Sequence, residues 1–387
     1  MAPGRAQRQA STLPDPAPSR YHSVEFEEAP MTTLTLPRPI AGPAAWHGRD
    51  IARSPRWVRD LPADALAEID AALDGIRRRG LAWSAIGKAD FPLPGMAVLF
   101  DDVRDELENG CGMVKLRGLP VARYAEEDLR RIWFGLGANL GRPLHQNKSG
   151  ELMRAIRDEG GAQVAGQRYG QIDEGQGKTF LSSYARTLTN GQLRFHTDRC
   201  DAVGLLCVRQ AKAGGVSKLA SSAMVHNVML ERRPDLCAAL YEDIWRSRFG
   251  EEPGGEKLAY PLPIFGQRDG RFTSHYSLTY IEAAQKMGEV PRLTDAQRQG
   301  IDMLMELAQE LSFEMRFEPG DMQILNNHVI YHGRTPFEDD AASGQDRLLL
   351  RIWLALPNSR ALPKGHEVLW RSIEPGTDRG GIGQAAA

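Results

Sequence analysis

FHTDRCDAVGLLCVRQ, residues 195–210, opens on Phe195-His196-Thr197-Asp198 and runs into an apolar, strand-like stretch. Its counterpart is NNHVIYHGRTPFEDD, residues 326–340, followed by RLLLRIWLAL, residues 347–356. Together they spell His-x-Asp, a distant His and a later Arg. Two imidazoles and one carboxylate on a single metal form a facial triad, which leaves adjacent positions open and suits non-haem Fe(II) and its oxygen chemistry. In extended chain the side chains of His196 and Asp198 leave the same face and can reach one ion. A later arginine would grip the far carboxylate of a dicarboxylic co-substrate in a two-pronged hydrogen bond.

The triplet alone carries little weight. With 9 His and 50 acidic residues in the chain, about one His-x-Asp/Glu arises by chance, and a core histidine before an N-cap aspartate is the plain structural alternative. The second imidazole is ambiguous too, because His328 and His332 share one run. They lie about 13 Å apart along a regular strand, so such a strand cannot bring both to one ion. RLLLRIWLAL has a period of two. Arg347, Leu349, Arg351 and Trp353 share one face; Leu348, Leu350, Ile352 and Leu354 share the other. Two arginines turned into an apolar interior are costly unless each meets an anion. For Arg351 a structural ion pair is the alternative.

FHTD (195–198), AGGVSKLASS (213–222), LNNHVIYHGRTPFEDD (325–340) and RLLLRIWLAL resemble the TauD/TfdA family of Fe(II)- and 2-oxoglutarate-dependent dioxygenases. The resemblance runs from Gly42 to Leu356 and takes in GPAAWHGRDI (42–51), VKLRGLP (114–120) and GANLGRPLHQN (137–147). It implies His196, Asp198 and His332 as metal ligands, the match falling on His332 just before Gly-Arg-Thr, and leaves His328 structural, hydrogen-bonded on the same strand. It gives Arg347 the C5 carboxylate of 2-oxoglutarate and places Ser217 beside that carboxylate, with Ser221 and Ser222 close by. Arg351 is directed towards the primary substrate or the same acid pocket. Gln146 and Asn147 fall where family members often place substrate-contacting polar groups, a surface turn being the alternative. Cys200 reads as a packed thiol rather than a soft ligand, and His145, His226 and His275 have no spacing that singles them out.

The chemistry implied by the resemblance consumes O₂ and 2-oxoglutarate, releases succinate and CO₂, and oxidises a small-molecule substrate, with hydroxylation as the default outcome. An Asp at 198, rather than Gly or Ala, speaks against a halogenase. Two other classes share the ligands: a metal-dependent hydrolase with a zinc-bound water, and a non-catalytic cupin-like binding protein. Neither gives Arg347 a clear job.

Composition sets the remaining bounds. A chain of 387 residues with 42% hydrophobic content can bury a sizeable core. A net charge of −2 without a basic block argues against nucleic acid or an anionic membrane as partner. The four cysteines show no C-x-x-C spacing. With no long apolar stretch and no signal-peptide core, the expected setting is the reducing cytoplasm. A homo-oligomer stays open.

Along the chain, residues 1–37 are rich in Pro, Ala, Ser and Arg and are expected to be disordered, and Met31 offers a second start. Residues 38–360 read as one dioxygenase domain, with a helical insertion over 281–311 and a loop-rich tail over 361–387 whose GGIGQAAA end should fray. Helices are expected over 61–80, 96–109, 126–140, 223–241 with a junction at Pro234, and 293–311. Strands are expected over 113–119, 203–210, 216–222 and, with turns, 245–280 and 313–325. GQIDEGQGK (170–178) reads as a mobile lid or a plain surface insertion. Many short strands with helices at the flanks make a mainly β (α+β) chain, and the resemblance implies a double-stranded β-helix, a cupin-like jelly roll.

Overall fold

The period of two after Arg347 decides how the layers stack. The computed structural model describes residues 37–161, 164, 171–173, 179–181, 183–248 and 257–383, and in it the strand Leu348–Ala355 is buried along its whole length. Leu348, Leu350, Ile352 and Leu354 enter one apolar cluster with the helices Ala65–Arg79, Ala97–Glu108 and Glu126–Leu140. Leu349 and Trp353 point the other way, into a second cluster shared with Val203, Leu219, Leu325 and Ile330.

This strand belongs to a seven-stranded sheet of order Val58–Asp60, Met113–Arg117, Met322–Asn326, Ala202–Arg209, Leu348–Ala355 and Arg142–Pro143, with Met153–Ile156 also paired to Leu348–Ala355. Only the first pair is parallel. A four-stranded antiparallel sheet, Phe313–Met315, Ser217–Ser221, Ile330–Arg334 and Leu193–His196, contributes Phe313, Leu219 and Ile330 to the second cluster. Its alternate residues Ala220 and Tyr331 pack outwards into a third cluster, against Ser222–Arg232, Pro234–Ala239 and Asp295–Leu311. Helices therefore cover the outer faces, and the space between the sheets is left for the site.

Local signals explain the helix positions. Asp295–Leu311 starts at Thr294, whose hydroxyl accepts from the Gln297 backbone N–H while the Thr294 N–H donates to Gln297 Oε1, a capping box. Glu126–Leu140 lies tight against the large sheet because Gly137 has no side chain. A Cβ there would stand 2.5 Å from Ile352 Cδ1. The predicted helices and most predicted strands have counterparts within a few residues.

Two expectations need correction. Leu278–Gln285 is a helix, where the sequence suggested strands and turns as far as Tyr280, and Asp295–Leu311 follows it as a second helix. Ser277 pairs with His196 in an isolated bridge immediately before it, which ends the extended run. The tail does not fray over Gly380–Ile382. Its amides bond to Trp370 O, Arg199 O and His145 O, and Ile382 is buried. Pro37–Ala387 forms one compact unit. Residues 1–36 and most of 170–178 lie outside the described residues, although Gln171–Asp173 pairs with Thr179–Leu181.

Truncating Ile352 removes a fully buried side chain between the helices and the sheet. Ile352→Ala is expected to destabilise the protein by about 2–5 kcal/mol, read as a shift in the midpoint of urea unfolding, with iron binding intact in the folded fraction.

Candidate metal centre and its two cavities

Strand pairing brings the two imidazoles together. His332, in Ile330–Arg334, is the direct cross-strand partner of His196, the last residue of Leu193–His196. Their ring centroids are 4.2 Å apart. The extended chain stops at His196, and Asp198 enters from the following loop, with its amide bonded to Asn327 Oδ1 at 2.9 Å. Its carboxylate oxygens lie 3.8 Å from His196 Nε2 and 3.7 Å from His332 Nε2. One ligand atom from each residue fits within 4.8 Å of the others, and all three residues are buried.

The donor set suits a divalent metal. His196 Nδ1–H donates to Arg194 O at 2.9 Å, which fixes the tautomer and leaves the Nε2 lone pair facing the cluster. Burial, reinforced by the neighbouring His332, pushes the His196 imidazole down to about 4, so it is neutral, as a ligand must be. Burial opposes ionisation of Asp198. Arg351, with Nη1 3.9 Å from Oδ1, leads the interactions that outweigh it and hold the carboxyl below the usual carboxylate range. Trp353 Nε1 donates to Asp198 Oδ2 at 2.9 Å. Two imidazole nitrogens and one carboxylate oxygen match the ligand type of ferrous sites.

Cavities lie on either side. One is lined by His196, Ser217, His332, Arg334, Arg347 and Arg351, among others. Arg347 is 6% exposed, its guanidinium stacks on Phe337 at 5.2 Å, and its Nη1 has no hydrogen-bond partner among the described residues. Burial lowers it to about 10, still cationic near neutrality. Ser217, on Ser217–Ser221, is buried in the wall of the same cavity with Oγ 3.4 Å from Gln323 Oε1. The second cavity contains Asp198, Arg199, Arg248, Tyr260, His275 and Ile382 in its wall. Thr187, His196 and Arg351 border both.

Arg351 is therefore not simply paired with a carboxylate. Its Nε donates to Gln146 Oε1 at 2.7 Å, and Gln146 Nε2 returns a bond to Arg351 O at 2.9 Å. Gln146, fully buried, orients that guanidinium and lines the second cavity. Asn147 is placed apart. Its side chain is spent on a turn, accepting from Ser149 N and Glu151 N and donating to Glu151 Oε2. His328 is structural but not on the strand. It sits in the turn before Ile330, with Nε2 2.9 Å from Asp201 Oδ1 and Nδ1 2.9 Å from Thr273 Oγ1. Cys200 Sγ accepts from Asn327 Nδ2 and lies outside the ligand cluster.

Two further residues, Arg334 and His275, stand at the site without having been singled out by spacing. Arg334 is buried, and its Nη2 donates to Thr189 O and Gly191 O, both at 2.6 Å, which ties down the segment entering Leu193–His196. Its spacing of two from His332 was the available signal. His275 lines the second cavity, with Nδ1 3.0 Å from Thr197 Oγ1.

The model of the family described as "Taurine catabolism dioxygenase TauD, TfdA family" matches residues 77–353. The chain belongs to this family. Within it, FR-33289 synthase of Streptomyces rubellomurinus is 30% identical over 335 residues, spanning 85% of this chain and 94% of that protein. Taurine hydroxylase-like protein SAT17 of Stachybotrys chartarum is 27% identical over 371 residues, 92% of this chain and 90% of that one. Among solved structures, asparagine oxygenase in complex with Fe(II), 2S,3S-3-hydroxyasparagine and succinate superposes with a TM-score of 0.56. It is 18% identical and the match covers 77% of this chain and 93% of that one, a likeness of fold.

His196→Ala, Asp198→Ala and His332→Ala are each expected to lower bound iron sharply at saturating Fe(II), measured by metal analysis of the folded protein. His328→Ala should retain iron and lose about 1–3 kcal/mol of stability from broken buried hydrogen bonds. Equal iron loss in His328→Ala and His332→Ala would mean the imidazoles are misassigned.

Proposed function

We propose that this TauD/TfdA family member is an Fe(II)- and 2-oxoglutarate-dependent dioxygenase that hydroxylates a small-molecule substrate and releases succinate and CO₂. The observation that carries the reading is Arg347, a buried cation with an unsatisfied N–H in the same cavity as His196 and His332. A buried guanidinium of this kind calls for an anion. The C5 carboxylate of 2-oxoglutarate meets that need, with Ser217 beside it. A hydrolase or a purely binding cupin would leave Arg347 and its cavity without a role. Two sheets sharing one apolar interior support reading the architecture of 38–360 as a double-stranded β-helix. Four buried free thiols support a reducing, cytoplasmic setting.

Fe(II) would be held by His196, Asp198 and His332, and together with 2-oxoglutarate and O₂ it supplies the oxidation of a substrate C–H bond. The chain's own residues do the rest. Trp353 and Asn327 fix Asp198 from two sides. Gln146 holds Arg351 at the border of both cavities, where its charge keeps Asp198 ionised. The second cavity takes the substrate, with Arg248, Tyr260 and Tyr280 and the apolar Leu369 and Ile382 in its wall.

Anaerobic addition of Fe(II) and 2-oxoglutarate should produce a weak visible charge-transfer band, and a wild-type protein that binds both without the band would refute the proposal. Arg347→Ala is expected to lose about 2–5 kcal/mol of co-substrate binding, roughly 30- to 5000-fold in apparent affinity for 2-oxoglutarate. Arg347→Lys should recover only part, because an ammonium cannot reproduce the two-pronged fork. Both follow from titrating the band against 2-oxoglutarate concentration.

A further inference from the structure

We infer that segment 361–383 is a strap forming one wall of the substrate cavity, in which Leu369 and Ile382 set substrate specificity and Arg379 positions them; this rests on the dioxygenase reading above. The family match ends at residue 353, yet Leu369 and Ile382 both line the cavity that contains Asp198. The metal ligands thus lie within the matched region, while part of the wall facing the substrate comes from beyond it. Both side chains are buried, at 3% and 4% exposure. They bring apolar surface to a wall otherwise rich in arginine, tyrosine and histidine. The expected substrate accordingly carries an apolar carbon segment next to polar groups.

The strap is pinned at a point that matters. Arg379 is fully buried, with Nε and Nη2 at 2.9 and 2.8 Å from Asp201 Oδ1, three residues after Asp198. From there Gly381 N donates to Arg199 O at 2.6 Å, the carbonyl adjoining Asp198, and Ile382 N donates to His145 O at 2.7 Å, the carbonyl before Gln146. The strap is thus stitched to the backbone beside both a metal ligand and the residue that orients Arg351. Gly380 and Gly381 make this approach feasible. Their φ values are +76° and +69°, and a Cβ would stand 2.7 Å from Arg199 O in one case and 3.0 Å from His145 O in the other. Trp370, after Leu369, packs on His328 at 4.9 Å, and His328 shares Asp201 with Arg379.

The test uses full-length Ile382→Ala, Ile382→Trp, Arg379→Met and Arg379→Lys, each checked for melting temperature and for the Fe(II)/2-oxoglutarate band. Succinate formation is measured without any primary substrate and with L-asparagine, L-arginine, taurine and straight-chain α-amino acids of increasing length. Ile382→Trp is expected to raise KM for whichever probe stimulates the wild type by about 10-fold or more. Ile382→Ala should shift preference to a longer probe and raise the probe-free succinate rate several-fold, as water gains access. Arg379→Met should mimic Ile382→Ala, and Arg379→Lys should restore part of the wild-type selectivity. The band and the 2-oxoglutarate requirement should not change. If no probe stimulates the wild type, the probe-free rate decides. Ile382 variants with a wild-type band whose probe selectivity and probe-free rate stay within about two-fold of wild type overturn the inference. A wild type without the band overturns the dioxygenase reading and removes this one with it.

Discussion

A carboxylate held ionised in a nearly dry interior is the constraint on which the site depends. Asp198 is 8% exposed, and burial alone would favour its neutral form. Arg351 leads the interactions that reverse that preference, but only while the strands hold the site together. The pairing of His196 with His332 sets the two rings, and the strand Leu348–Ala355 carries Arg351 and Trp353 on one face. A register slip of one residue along that strand would turn both side chains into the helical layer. The four leucine and isoleucine side chains on the opposite face resist such a slip, since it would expose them to a polar interior. Packing on one side of the sheet therefore protects electrostatics on the other.

The same arrangement divides the interior into two chambers. Arg347 stands just before the strand and Arg351 four residues on, so the first serves the chamber containing Ser217 while the second borders both. Arg351 costs less to bury than a lone guanidinium because Gln146 exchanges hydrogen bonds with its side chain and its carbonyl. Arg347 Nη1 has no such partner among the described residues, and this difference is what supports the proposal that Arg347 meets an incoming anion while Arg351 belongs to the framework.

Much of this was legible in the sequence, for identifiable reasons. The alternation in RLLLRIWLAL specifies a strand with two unlike faces, and the capping residues around Thr294 specify where a helix begins. Both signals are local, and both survive folding. The tail was misread because its stability is not local. GGIG has no periodicity and three glycines with positive φ, and it is ordered by carbonyls of Arg199 and His145 far away in the chain. Asn147 and Gln146 are neighbours in sequence, but one closes a surface turn and the other is fully buried. Their residue types give no hint of that divergence, which depends on where the chain enters the large sheet.

Hydrogen-bond saturation resolves what spacing could not. Asp198 and Asp201 are three residues apart and His328 and His332 four, and by residue type either member of each pair could ligate a metal. Asp201 already takes bonds from His328, Arg379 and the Leu356 amide, and both ring nitrogens of His328 are engaged, one with Asp201 and one with Thr273. Neither could accept a metal without breaking a buried network whose loss would leave a charge unpaired. In contrast, His332 Nδ1 has no hydrogen-bond partner among the described residues, and its Nε2 stands 3.7 Å from Asp198, beyond hydrogen-bonding distance. Asp198 is held by Trp353 at one oxygen, while its other oxygen approaches His196 and Arg351 only at 3.8 and 3.9 Å. Unspent donor capacity, gathered at one point by strand pairing, is the property that distinguishes the candidate ligands from their structural twins.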